Sequence, residues 1–366
     1  MHERYGPIVR INPFEIHIND PDYIKSLLNT NKELNKDPLR SRSLGQAQNV
    51  QETVEWAVHK RRRAPFDGFF SRKRIMELNG LVNAQADKLL NNMKTDAESS
   101  KRTCLSTYYR FASAETIFDY CFGRQFGFFE DQKTAEKLLI DQSRPGDFPG
   151  GHHLGRFTNH INLIISIQTF LYSLKLCLFG GEVAGQSFVA LREWGVKRLE
   201  EVLGSAGDAS DQDTVFSRLA SSDLPAEERS FDYLLMQIFL FLRAGFDTTA
   251  YNLTLATYYV LTHPELKQRL ELELETAECF NNGTPPSWND LEKLPLLNAV
   301  IKETLRLGSG QNLAMAELHI FLAAVFRAFD LELTDTVAED VVSYYDDFTP
   351  TPRNGKQKLF VRAKLR

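Results

Sequence analysis

The sequence has little cysteine. Its 366 residues include four, Cys104, Cys121, Cys177 and Cys279, widely spaced and without a CxxC pair. That excludes a disulfide framework and fits a reducing compartment. An excess of positive charge is also missing. The net charge is -5, which argues against nucleic acid as the main partner. Met1 to Tyr5 offers no apolar core for a secretory signal. Long uninterrupted apolar runs are absent too. Residues 161–179 are broken by Asn162, Gln168 and Lys175, and residues 233–261 by Arg243 and Asp247, so no membrane span is predicted. There is no internal repeat and no low-complexity segment. Hydrophobic residues make up 43% and charged residues 25%, as in a soluble globular protein. As written, the chain reads as cytoplasmic, attached at most to a membrane surface.

What is present centres on Ala244-Gly245-Phe246-Asp247-Thr248-Thr249. The hexapeptide lies inside the apolar run 233–261, where nearly every face is hydrophobic, so the run predicts a long buried helix. Its middle breaks the rules for such a helix. Gly245 costs about 1 kcal/mol against alanine in a helix interior. Asp247 puts a carboxylate where an unpaired charge is expensive. Thr248 and Thr249 can bond back to the preceding turn and bend the helix. A broken local rule in a core element points to a functional or strained site. The plainer alternative is a kinked core helix with two satisfied threonines.

From the start of the chain, Ile8 to Ile11 and Glu15 to Ile18 predict an antiparallel hairpin turned at Asn12-Pro13. Asp20-Pro21 predicts a helix start, with aspartate as N-cap and proline first in the helix. Residues 29–50 read as polar and irregular. In Trp56 to Arg63, His59 and Arg63 are four apart and share a helix face. So basic a cluster in an acidic protein suits an anion; a solvated basic face is the alternative. Helices are predicted between Ile75 and Gly123, and again over 155–203. Residues 143–154 read as a loop that includes His152 and His153, and 204–213 as a surface loop. Thr262-His263-Pro264-Glu265 predicts a capping box. Asn281-Asn282-Gly283 reads as a turn. Pro295 opens a helix with an apolar stripe of Leu297, Val300, Ile301 and Leu305. On it Glu303 and Arg306 are one turn apart and can pair; an exposed ion pair is the alternative. A further helix is predicted over 311–330, with strands at 331–333 and 358–362.

These segments in this order resemble the cytochrome P-450 family of haem-thiolate monooxygenases, and within it the fungal, trichodiene-oxygenase-like group. Tyr5 to Pro13 is similar to the family's first strand, and His59 to Arg63 to its basic helix. Ala244 to Thr249 matches its AGxDTT motif. Leu291 to Arg306 matches its ExxR helix, and Gln311 to Leu318 resembles the start of the helix after the haem ligand. The resemblance implies a mainly α fold with a small β portion, as one domain over 1–366. It implies haem held at its propionates by His59 and Arg63, and proton delivery by Asp247 and Thr248. Glu303 and Arg306 would be structural, and Phe239, Phe246 and Tyr251 would line a pocket. It further implies a small apolar substrate, terpenoid or polyketide-like, receiving one oxygen atom from O2. An NADPH-dependent reductase would supply electrons at the endoplasmic reticulum membrane surface.

The chain also departs from the pattern. The segment between the ExxR helix and the cysteine-ligand helix is missing, and with it most of the family's sheet. Aligned on Gly310 to Ala314, the ligand position holds Gly308 and supplies no metal ligand; glycine has no thiolate. The family's membrane anchor and proline-rich hinge have no counterpart. Three expectations follow from the sequence: an incomplete copy of a monooxygenase, a truncated non-catalytic remnant or splice product that binds apolar ligands or partners, or a fragment that does not fold stably.

Overall fold

The computed structural model describes residues 1–27, 32–38, 49–142, 184–204, 214–281, 283–307, 312–347, 349–355 and 357–366. Several sequence expectations lie outside these residues: those for His152 and His153, the apolar run 161–179, and Gly308 and Gln311.

The chain is mainly α. Its core is built on one helix, Phe231–Thr262. The helix starts where the Ser230 hydroxyl accepts the N–H of Tyr233. It ends at His263, because the residue before Pro264 is pushed out of the helical region. The expected capping box is not formed there. Thr262 is the last residue of the central helix, and its hydroxyl donates to the Tyr258 carbonyl at 2.9 Å. The next helix, Pro264–Thr276, has no side-chain N-cap bond, and proline at its first position leaves one fewer orphan N–H.

The main neighbour of the central helix is Leu105–Phe122. The sequence suggests an amphipathic helix there, yet nearly every residue of it is buried, including Arg110 and Glu115. Asn79–Glu98 packs on this second helix, and Asn312–Ala328 packs on both Asn79–Glu98 and the central helix. Three contacts fix the register of the first pair. A Cβ on Gly245 would lie 2.8 Å from Ile117 Cγ1. The Tyr109 and Thr257 hydroxyls are 2.9 Å apart. Arg110 reaches Asp247. Glycine at 245 is therefore what allows the two backbones to approach.

A three-stranded antiparallel sheet closes one end, in the order Thr103–Cys104, Phe360–Leu365, Phe329–Thr334. The two longer strands match the sequence expectation and run slightly beyond it. Thr103–Cys104 is too short to carry a pattern. The hairpin of Ser343–Asp347 and Thr349–Pro352 was also not anticipated. Its prolines read as turn residues, but a two-stranded ribbon tolerates them at an edge. The N-terminal hairpin, Ile8–Asn12 with Glu15–Ile18, forms as expected. The Asp20 carboxylate caps Pro21–Leu27 by accepting the Asp22 N–H at 3.0 Å. Only Val9 of this hairpin is buried, while Ile8, Ile11, Phe14 and Ile16 face solvent.

Glu317 is fully buried in the helix Asn312–Ala328, and neither carboxylate oxygen has a partner among the described residues. Burial drives its carboxyl well above the usual range. A carboxyl raised in the folded state contributes stability below its unfolded pKa of about 4.3 that is lost as pH rises through the folded value. We expect Glu317→Gln to raise the thermal midpoint at pH 7 and to leave it unchanged near pH 4; equal shifts at both would overturn this account. Gly245→Ala should destabilise by about 1–3 kcal/mol, overpacking against Ile117 outweighing the gain in helix propensity. In a double-mutant cycle its cost should shrink in an Ile117→Ala background.

Candidate functional site

The basic helix Trp56–Asp67 splits its charges into two groups. Arg61 and Arg62 turn to one buried carboxylate. Arg61 Nη2 lies 2.6 Å from Glu228 Oε1 and Arg62 Nε 2.8 Å from the same atom. Arg62 also donates to the Thr53 hydroxyl at 2.9 Å. These two arginines anchor the helix to the segment that precedes the central helix. His59 and Arg63 project elsewhere, within electrostatic reach of Lys36. Burial holds the His59 imidazole below its ordinary pKa, and the Lys36 and Arg63 charges add to the effect. Lys36 is likewise held below the usual lysine range by burial and by Arg63. Its ammonium donates to the Gln51 carbonyl at 2.6 Å, and Arg63 Nε to Asp67 Oδ1 at 3.0 Å.

Lys36 and Arg63 both disfavour a proton on His59, and Arg63 disfavours one on Lys36, so a negative guest would relieve the site. A carboxylate placed among them would accept charge-assisted hydrogen bonds, the strong kind. It would also draw a proton onto His59. Sequence periodicity brings out His59 and Arg63. Lys36 was missed because it comes from an irregular stretch without any periodic signal.

On the central helix, Asp247 is mostly buried and paired. Arg110 Nε donates to Asp247 Oδ1 at 3.3 Å, and the side chains are 10% and 14% exposed. Arg110 Nη1 also reaches the Gln357 carbonyl at 3.4 Å. Removing one partner of such a buried pair costs about 3–5 kcal/mol, because it strands the other charge. The Thr248 hydroxyl donates to the Ala244 carbonyl at 2.8 Å, and Thr249 to Gly245 at 3.2 Å. Both threonines thus make the back-bonds expected of them. Gly245 has Ile117 against it, so the space left by its missing side chain is filled. A signal for Arg110 was available: a lone cation in the aromatic-rich run 105–122 needs an acidic partner once that helix is buried. Of the expected pocket residues, Phe246 and Tyr251 are buried, whereas the side chain of Phe239 lies outside the described set.

Glu303 and Arg306 do pair, through bonds of 2.8 and 2.6 Å on the helix Pro295–Leu307. Arg306 holds the Glu303 carboxyl below its usual range. Their side chains are 59% and 65% exposed, so the pair lies on the surface and joins no core. Among the described residues, no group of three or more His, Cys, Asp or Glu is placed to hold a metal ion.

The residues present fit one end of a haem and not the other. Lys36, His59 and Arg63 suit its two carboxylates. No described cysteine suits the iron. Cys121 is fully buried on the helix Leu105–Phe122, where burial pushes its thiol far above the usual range. Burial also raises Cys279. Cys104 sits beside Ser106 and Thr107 at the edge of the small sheet.

Comparison with known proteins places these features in a family. The family model described as cytochrome P450 matches residues 1–309. Tryptophan 6-hydroxylase fscE of Fusarium equiseti is 31% identical over 314 residues, covering 85% of this chain and 60% of that protein. Cytochrome P450 monooxygenase TRI4 of Fusarium sporotrichioides is 27% identical over 313 residues, covering 85% and 58%. Cytochrome P450 monooxygenase tndB of Aspergillus flavipes is 27% identical over 367 residues, covering 95% and 75%. The first of these is typical in coverage: the chain spans about 60% of the length of several such relatives. The crystal structure of a cytochrome P450 superposes with a TM-score of 0.70 at 15% identity, covering 100% of this chain and 96% of that one. Among the described residues, no helix is long and apolar enough to cross a membrane. A fold shared over the whole chain and a family model matched over most of it agree with the motifs read from the sequence: the chain belongs to the cytochrome P450 family.

Proposed function

We propose that this chain derives from a fungal haem-thiolate monooxygenase of secondary metabolism and that, as it stands, it is not a competent one. The parent enzyme would insert one oxygen atom from O2 into a small apolar metabolite, with electrons from an NADPH-dependent reductase at the endoplasmic reticulum surface. The observation that carries the reading is the mismatch between the two ends of the haem site. The propionate side is furnished by His59, Arg63 and Lys36. The thiolate side is not, since Gly308 holds the ligand position. Two further features support a missing internal block. The Glu303–Arg306 pair is open to solvent. The N-terminal hairpin exposes Ile8, Ile11 and Ile16, apolar residues that a larger sheet would cover. The 75% coverage of one relative by 95% of this chain fits a relative that carries additional residues.

Haem, when bound through a thiolate, supplies the oxygen-activating chemistry. This chain's own residues would do less. His59, Arg63 and Lys36 would bind and orient carboxylates. Asp247 and Thr248 would hold a proton near the centre of the helix, with Arg110 fixing the carboxylate. The second reading, a non-catalytic helical protein that binds a ligand or partner, draws on the well-formed core around the central helix.

Reduced protein mixed with haem and carbon monoxide should lack the red-shifted Soret band of thiolate ligation; that band's appearance would refute the proposal. The cation cluster can be tested without iron chemistry. Lys36→Met should raise the His59 pKa in an NMR titration, since it removes a neighbouring positive charge, and an unchanged value would remove Lys36 from the site. If a cysteine-bearing block is restored, Asp247→Asn and Thr248→Ala should lower turnover per bound haem. His59→Ala and Arg63→Ala should instead weaken haem retention. Unchanged turnover per haem in both distal-helix variants would limit Asp247 and Thr248 to structure.

A further inference from the structure

We propose that His2 and His17 form a site for a divalent transition metal of the copper(II) or nickel(II) kind, which clips the first turn of the chain to the N-terminal hairpin. The site uses none of the residues assigned to the haem. The hairpin has little else to hold it, since Val9 alone of its residues is buried. Val9 sits directly across the ladder from His17, and residues paired in this way put their side chains on the same face. The helical turn His2–Tyr5 packs on the strand that carries Val9. The two rings meet there: His2 Nε2 lies 2.6 Å from His17 Nδ1.

The hydrogen bonds decide which nitrogens carry lone pairs. His2 Nδ1 is 2.8 Å from the Gly6 carbonyl oxygen, which can only accept, so Nδ1 holds the proton and Nε2 a lone pair. A backbone carbonyl that fixes the tautomer and the ring in this way is the usual support of a metal-binding histidine. His17 Nδ1 donates to that lone pair. His17 is exposed, so its proton can shift to Nε2 and bond to water. Both facing nitrogens then offer lone pairs, and the ion takes the place of the proton between them.

The spacing selects the ion. Two nitrogens at about 2.0–2.1 Å from one ion and at right angles stand about 2.9 Å apart, whereas a tetrahedral ion spreads them to about 3.3 Å. The right-angled arrangement asks for the smaller opening of the rings, and it is the one copper(II) and nickel(II) prefer, with water in the remaining positions. Magnesium and calcium take oxygen ligands and do not suit two imidazoles. Charge agrees: residues 1–22 hold Glu3, Glu15, Asp20 and Asp22 against Arg4 and Arg10. An ion here joins the first turn to the hairpin where apolar burial does not, and any ion that binds only the folded arrangement stabilises it.

The test is calorimetric titration of the full, untagged chain, without haem, with nickel(II), copper(II) and magnesium chlorides. We expect a saturable nickel site, tighter binding of copper(II), and no binding of magnesium. His2→Gln and His17→Gln should each weaken nickel binding at least about tenfold, while the double variant His152→Gln, His153→Gln keeps it. Circular dichroism checks that each variant folds. Nickel should also slow amide hydrogen exchange across residues 8–18, and should no longer do so in His17→Gln. No saturable nickel binding, magnesium bound as tightly, affinities indifferent to His2 and His17, or exchange that nickel leaves unchanged would overturn the proposal. Failure here leaves the haem reading untouched, because the assay contains no haem.

Discussion

The central helix can lie in the core only because the helix Leu105–Phe122 lies against it. Asp247 brings a charge into an apolar interior, and Arg110 is the cation that makes this tolerable. Gly245 gives up helix propensity, and Ile117 fills the space gained. The Tyr109–Thr257 bond completes the register. A helix that carries these contacts has little surface left, so Leu105–Phe122 is itself enclosed. Phe118 and Phe122 pack on Trp194, and Phe111 on Phe128 and Phe129. Glu115 accepts the backbone N–H groups of Phe126, Gly127 and Phe128, which folds that loop back over the cluster. Through Gln357 the same arginine is tied to the segment that enters the last strand.

The proposed function separates the chain's elements into two groups. The core around Asp247 is closed by Arg110, Ile117 and the Tyr109–Thr257 bond. The members of the cation cluster, Lys36, His59 and Arg63, come from the basic helix and the stretch before it. Elements that the proposed missing block would cover face water. Among the described residues, Glu303 and Arg306 pair with each other at the surface. The N-terminal hairpin has its ladder bonds and little else. On the proposed reading, one end of the haem site is furnished and the other is not because the two ends come from distant parts of the chain.

The sequence by itself determined much. The long apolar run could only be a buried helix, since no surface helix is hydrophobic on every face. The hairpin, the Asp20 cap and the two long strands followed from alternation, turn residues and capping chemistry, all local signals. His59 and Arg63 shared a face because a helix repeats every 3.6 residues. That residue 308 is glycine and supplies no thiolate is a fact of composition that no fold can change. Tertiary structure decided the rest, because the deciding interactions join residues far apart in the chain. Arg110 and Asp247 are 137 positions apart, and no period links them. The Gly245 contact with Ile117 depends on how closely two helices approach. Lys36 enters the cation cluster from an irregular stretch. Whether Glu303 and Arg306 sit in a core or in water depends on what packs over them. Each of these is a question of burial and long-range pairing, which sequence spacing cannot encode.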